Sequence, residues 1–134
     1  MQQSGSERRL KPRFNAEMPC TIELAERDPI FPNERLDCRT RDLSESGVGL
    51  IAETIYLGYT CVVDEGRALT LSLELPDGVV EMETTTAHYL RLGGDAQPAH
   101  YLIGLRITSI SEASRSQYIS YLEELNKSER VSEL

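Results

Sequence analysis

The stretch ALTLSLEL sets leucines at positions 69, 71, 73 and 75 against Thr70, Ser72 and Glu74. Strict alternation of this kind is the mark of an extended chain with one buried face, since successive side chains of a strand point to opposite sides. The next residues, Pro76-Asp77-Gly78, form a turn, with proline presetting one dihedral and glycine free to take a positive one. The segment VVEMETTTAHYL, residues 79–90, is rich in β-branched residues and supplies the returning strand. A hairpin with one apolar face is therefore expected, and a single hairpin cannot cover that face alone.

More strands follow from the same logic. AEMPCTIELAE, residues 16–26, alternates Met18, Cys20, Ile22 and Leu24 on one side. RDPIFPNE, residues 27–34, carries two prolines and an asparagine and reads as a connection. RLDCRTRDL, residues 35–43, returns antiparallel to the first strand and enters the turn SESG, after which VGLIA begins another strand. RLGGDAQPAH, residues 91–100, reads as a loose connection, and YLIGLRI, residues 101–107, as the last strand. Five or six short strands with turns between them favour an antiparallel sheet curled into a barrel, which leaves no open edge.

The period then changes. SEASRSQYISYLEELNK, residues 111–127, opens with Ser111 in the N-cap position, places Glu112 in the first turn and sets Tyr118, Ile119, Leu122 and Leu125 at helical spacing. One C-terminal helix packed on the barrel is expected. Residues 1–7 read as a flexible tail, 8–126 as one domain and 127–134 as a C-terminal tail.

No stretch is apolar for long enough to cross a bilayer, and the opening MQQSGSERRL lacks the apolar segment of a secretory signal, so the expectation is a cytoplasmic protein without membrane insertion. Cys20, Cys38 and Cys61 are widely spaced, with no C-x-x-C, and read as buried reduced thiols; no metal site or cofactor is expected. There is no G-x-S-x-G, no H-E-x-x-H and no phosphate loop ending in G-K-[ST], and the two histidines are His88 and His100. Catalysis has few candidates and an enzyme is not expected. His88 reads as a polar residue on an exposed strand face, although at the rim of a barrel it could stack on a base.

Charge is unevenly placed. The chain carries −8, yet Arg8, Arg9, Lys11 and Arg13 bring four cations into the opening tract, leaving −12 on the rest. A duplex of phosphates would be repelled by most of such a surface, so neither DNA nor RNA is an expected partner. A small anion gripped at one point would not be repelled.

Arg9 and Arg13 make an R-x-x-x-R pair, and 29 residues after Arg13 comes Asp42-Leu43-Ser44-Glu45-Ser46-Gly47, a D-x-S-x-x-G turn. Arginine pairs are common, and the second motif alone fits an Asx-type turn with Gly47 at a positive dihedral. Together, in this order and on either side of the first hairpin of a barrel followed by a helix, they resemble the PilZ domain, a family of bacterial receptors for cyclic di-GMP. The resemblance runs from Glu7 to Leu125 and implies a mainly β fold, a six-stranded antiparallel barrel with a C-terminal helix. The interval between the motifs is longer than the family pattern, with the excess in residues 27–34.

The resemblance assigns ligand contact to Arg9, Arg13, Asp42, Ser44 and Gly47, and the chemistry suits the assignment. Arginine forks can take phosphate oxygens, or O6 and N7 of guanine, in a bidentate manner. An ionised Asp42 accepts from the N1–H and N2–H2 donors of guanine, which adenine lacks there. Ser44 can donate or accept, and Gly47 allows close backbone approach. Within the family, an arginine directly before the pair tends to accompany two intercalated ligands, so Arg8 implies two cyclic di-GMP molecules per chain. A receptor of one domain must pass its signal to a protein partner, which the sequence does not identify. The alternative within the same family is an adaptor that works by protein contacts without nucleotide.

Overall fold

A computed structural model of the chain describes residues 12–26, 34–64, 66–94 and 97–133. Along them run β1 (Phe14–Asn15), β2 (Pro19–Leu24), β3 (Leu36–Leu43), β4 (Gly47–Ala52), β5 (Tyr56–Leu57), β6 (Thr60–Cys61), β7 (Ala68–Leu75), β8 (Gly78–Gly94), β9 (Gln97–Ile110) and the helix α1 (Glu112–Glu133). The sheet runs β1-β3-β2-β7-β8-β9-β4, and a further β3–β4 pairing joins its ends. Six strands, β2, β3, β4, β9, β8 and β7, thus close an antiparallel barrel, with β1 added at one end of β3. Closure removes the edges that an open sheet of these strands would expose.

The leucine ladder behaves as its pattern requires. Leu69, Leu71 and Leu73 are fully buried, and each such side chain taken out of water contributes about 1.5–3 kcal/mol before entropy is counted. Opposite them on β8 stand Val80 and Met82, also buried, in the register Leu73↔Val80 and Leu71↔Met82. The turn at Pro76-Asp77 is tight, and Gly78 has a φ of 141°, a value that favours glycine. On β2, Cys20 and Ile22 point inward, and Cys20 pairs directly with Cys38 of β3.

Ser111 caps α1 as expected, its hydroxyl accepting from the Ser114 amide at 3.2 Å. Tyr118 and Leu122 are buried against the barrel, with Ile119 and Leu125 packed beside them. The helix continues past Lys127 to Glu133, through residues whose polarity alone reads as a tail.

Two features depart from the sequence reading. Residues 91–94 and 97–100 are strand and not a loose connection: β8 and β9 stay paired out to Gly94↔Gln97, forming a ribbon that extends the hairpin. Gly93, at φ +82°, sits at a register shift in this ribbon, so the glycines serve a bulge and not a loop. The short hairpin β5–β6, only two residues on each side, has no alternation long enough to mark it in the sequence. The extra length assigned to residues 27–34 falls almost wholly outside the described residues, which resume at Glu34.

Candidate functional site

The two-residue strand β1 fixes the site. Phe14 pairs with Leu43 and Asn15 with Asp42, and the Ala16 amide donates to the Arg41 carbonyl at 3.1 Å. Just beyond, the buried Thr40 hydroxyl donates to the Ala16 carbonyl at 2.6 Å and accepts from the Met18 amide at 3.0 Å, pinning the chain as it passes into β2. Because side chains alternate, Phe14 is driven into the core and its neighbour Arg13 stays outside. There the Arg13 guanidinium donates to Asp42 Oδ1 at 2.8 Å, with Arg13 half exposed and Asp42 largely covered. The first arginine to be described and the acid of the turn are thus in direct contact.

Asp42 also begins a row across the outer face of the barrel. It stands opposite Gly49 of β4, Gly49 opposite Gly104 of β9, and Gly104 opposite His88 of β8. Both strands that flank the glycine pair slip register at this level: β3 between Thr40 and Asp42, and β8 between Thr86 and His88. Each extra residue, Arg41 and Ala87, re-aims the side chain that follows it, which is how bulges commonly act beside binding sites.

The glycines leave room for what lies over them. A Cβ on Gly49 would come 2.6 Å from Asp42 Oδ1, and one on Gly104 would collide with the imidazole of His88. Arg13, Arg41, Asp42, Gly49, His88 and Gly104, with Leu102 and Ile103, line an open cleft of about 220 Å³. Arg41 is exposed and makes no ion pair among the described residues, so a cation is available beside a carboxylate acceptor and a bare stretch of backbone.

Ser44 and Gly47 have a different place. Ser44 is buried, its Oγ accepting from the Gly47 amide at 3.1 Å, while its own amide donates to the Gly47 carbonyl at 2.9 Å. Gly47 does not have a positive φ, contrary to the simple turn reading; a Cβ there would meet the Leu105 carbonyl at 2.6 Å. Its small size lets β4 lie against β9. From below, the Tyr118 hydroxyl donates to the Ser44 carbonyl at 2.6 Å. Burial pushes the Tyr118 phenol well above its ordinary range. At the turn's surface Arg115 of α1 approaches Glu45 at 3.8 Å.

A cation is thus set on a carboxylate at the outside of a closed six-stranded barrel, with a helix under the connecting turn. The model of the PilZ domain matches residues 7–124. The chain belongs to the PilZ domain family. No curated protein sequence matches it significantly. Among solved structures this PilZ domain is similar to the "PilZ domain with c-di-GMP of YcgR from Escherichia coli", at 20% identity and a TM-score of 0.67 over 93% of this chain and 96% of that one. It is also similar to apo MrkH of "K. pneumonia", at 16% identity and a TM-score of 0.68 over 91% of this chain and 52% of that one. A third is the Bacillus subtilis inhibitor of motility MotI/DgrA, at 16% identity and a TM-score of 0.59, covering 87% and 51%. The domain spans about half the length of the latter two. At these identities the likeness is one of fold.

Of the residues singled out in the sequence, Arg13 and Asp42 come together, Ser44 and Gly47 form the turn beneath them, and Arg8 and Arg9 lie outside the described residues. Sequence reasoning passed over Arg41 and set His88 aside; the cleft contains both. Among the described residues no group of His, Cys, Asp and Glu could hold a metal ion, and no helix is long and apolar enough to cross a membrane.

Proposed function

We propose that this PilZ domain is a cyclic di-GMP receptor whose ligand lies on the outer barrel face at Asp42, under the arginines of the N-terminal arm. The observation that carries the reading is the Arg13–Asp42 contact at the mouth of a cleft floored by glycine. A cyclic dinucleotide presents two phosphates and two guanines. Arg8, Arg9 and Arg13 supply forked donors for phosphate oxygens and for guanine O6 and N7, and Asp42 supplies the acceptor for N1–H and N2–H2. Ser44 and Gly47 take part by holding the turn that presents Asp42. Membership of the family, and the solution of the similar YcgR domain with c-di-GMP, support this choice of ligand.

The chain acts in this reading as a binding module, with no chemical step. Arg8 brings the cation needed for a second stacked ligand, giving two cyclic di-GMP molecules per chain. The signal passes to a protein partner through the arm and α1, since Phe14, next to Arg13, packs in the core that α1 covers. Calorimetric titration tests the reading directly. Cyclic di-GMP should bind at two per chain, cyclic di-AMP far more weakly, and Arg8→Ala should bind one. Absence of binding to the unmodified protein would leave the adaptor function in its place.

A further inference from the structure

The barrel closes, but one of its strands runs on past the closure. On one side β8 is paired with β7 only as far as Thr85, opposite Ala68, whereas on the other it stays with β9 out to Gly94. Thr86 still reaches across, its hydroxyl donating to the Val62 carbonyl at 3.2 Å. Beyond it, among the described residues, no backbone hydrogen bond joins residues 87–94 to any element but β9. Within this free edge the register shifts after Thr86 and again after Leu92, so that His88 to Leu92 is a regular extended run. The other edge of the ribbon, where β9 continues beyond its last pair with β4 at Tyr101, carries Pro98, which cannot donate to an added strand. The β8 edge has no such guard. It contains neither proline nor lysine, and at its centre Tyr89 and Leu90 are 50% and 55% exposed.

An open edge accepts a further strand through its main chain, and its side chains select which one. Turned about a two-fold axis normal to the sheet at Leu90, the run meets its own copy antiparallel, with Leu90 opposite Leu90, Tyr89 opposite Arg91 and His88 opposite Leu92. Each meeting joins residues of one parity, so outward amides find outward carbonyls whichever set faces the edge. The side chains are complementary on both faces. Arg91 makes no ion pair among the described residues, and its guanidinium can lie on the Tyr89 ring of the copy, on the face that Tyr89 and Arg91 share with Ile103 and Tyr101. On the opposite face Ile51, Leu102 and Leu90 form an apolar row across β4, β9 and β8 that stops at the edge, and pairing continues it into the same row of the copy. We propose that the free edge of β8, from His88 to Leu92, joins the same edge of a second copy of this chain, making a dimer with one sheet continuous through both barrels. The proposal goes beyond the receptor reading and does not rest on it.

The test uses the full chain without nucleotide. Sedimentation equilibrium at rising protein concentration should show a reversible dimer, weak because so short an edge buries less than a standard interface. Leu90→Lys, at an exposed position, should leave the thermal midpoint in place and weaken the dimer roughly tenfold or more, since two ammonium groups then face each other across the axis. A cross-link reads the register. Residues opposite each other in an antiparallel pair have Cα atoms about 4.5–5.5 Å apart, within reach of a disulfide. Leu90→Cys should therefore become a covalent dimer in oxidised glutathione, reversed by dithiothreitol, while Val79→Cys, exposed on the same strand but at a point paired with β7, should stay at the background set by Cys61 in the unmodified protein. A monomer at every concentration, a dimer that Leu90→Lys leaves intact, or cross-linking of Val79→Cys as readily as Leu90→Cys would each overturn the edge pairing.

Discussion

The phenolic oxygen of Tyr118 lies 2.6 Å from the carbonyl oxygen of Ser44, a residue 74 positions earlier, and both are buried. A C-terminal helix that could have packed by apolar contact alone is thereby bonded to the backbone of the turn that carries Asp42. Removing the hydroxyl leaves that carbonyl without its helix partner inside the protein. Tyr118→Phe should therefore cost about 1–3 kcal/mol in urea unfolding, and it should also weaken cyclic di-GMP binding, because the turn is no longer held from below. An unfolding midpoint equal to that of the unmodified protein would show that the bond contributes nothing.

The same residue makes stability depend on alkaline pH. Burial raises the Tyr118 phenol, so the folded protein holds this proton more tightly than the unfolded chain, where tyrosine titrates at about 10. Its contribution is complete below about pH 10 and is lost as pH rises above that value toward the folded pKa. Urea unfolding at a series of pH values from 8 to 11 should show the gap between the unmodified protein and Tyr118→Phe narrowing at the alkaline end.

Two glycines two residues apart should answer substitution differently. In Gly47→Ala the new methyl meets the Leu105 carbonyl, a backbone atom that cannot swing aside, and overpacking of this kind costs about 1–3 kcal/mol. In Gly49→Ala it meets only the Asp42 carboxylate, the end of a side chain that can rotate off Arg13. Thermal unfolding should fall clearly in the first variant and little in the second, whereas affinity for cyclic di-GMP should drop in the second.

Arg13→Ala separates binding from stability. The Arg13–Asp42 pair is half exposed on the arginine side, and pairs of that kind contribute about 0–1 kcal/mol to folding. Contact of a guanidinium with phosphate or guanine is worth more, about 1.5–3 kcal/mol, so affinity should fall roughly 10- to 150-fold with little change in urea midpoint.

What could be read from the chain and what could not divides along a physical line. The ladder Leu69 to Leu75, the Pro76-Asp77-Gly78 turn and the helix cap at Ser111 depend on neighbours in sequence, and each stands in the structure as read. Asp42 and Arg13 were found because two motifs flank one hairpin, and the structure joins them. The rest depends on distant neighbours. Gly104 owes its identity to a ring 16 residues away on another strand, His88 owes its aim to a bulge that breaks the period-two count, and Ser44 looks like a surface donor until Tyr118 and Gly47 enclose it. The glycines at 93 and 94 have the composition of a loop, and only pairing to Gln97 makes them part of a ribbon.

The thiols give a chemical check on the core. Cys38 is pushed far up by its contact with the facing Cys20 and by burial, and both are sealed in the barrel, while Cys61 is half-buried. A thiol reagent at neutral pH should modify Cys61 first and reach the other two only in urea; rapid reaction of all three in the native protein would contradict the closed barrel.

The pleat of the barrel assigns opposite duties to adjacent letters of the chain. Asp42, Gly49 and Gly104 face the cleft, and their immediate neighbours Leu43, Val48 and Leu105 fill the interior. In the proposed receptor, recognition and cohesion are thus written in alternate residues of the same three strands. The outer letters can be re-encoded for another ligand, one position at a time, while the inner ones go on specifying the same barrel.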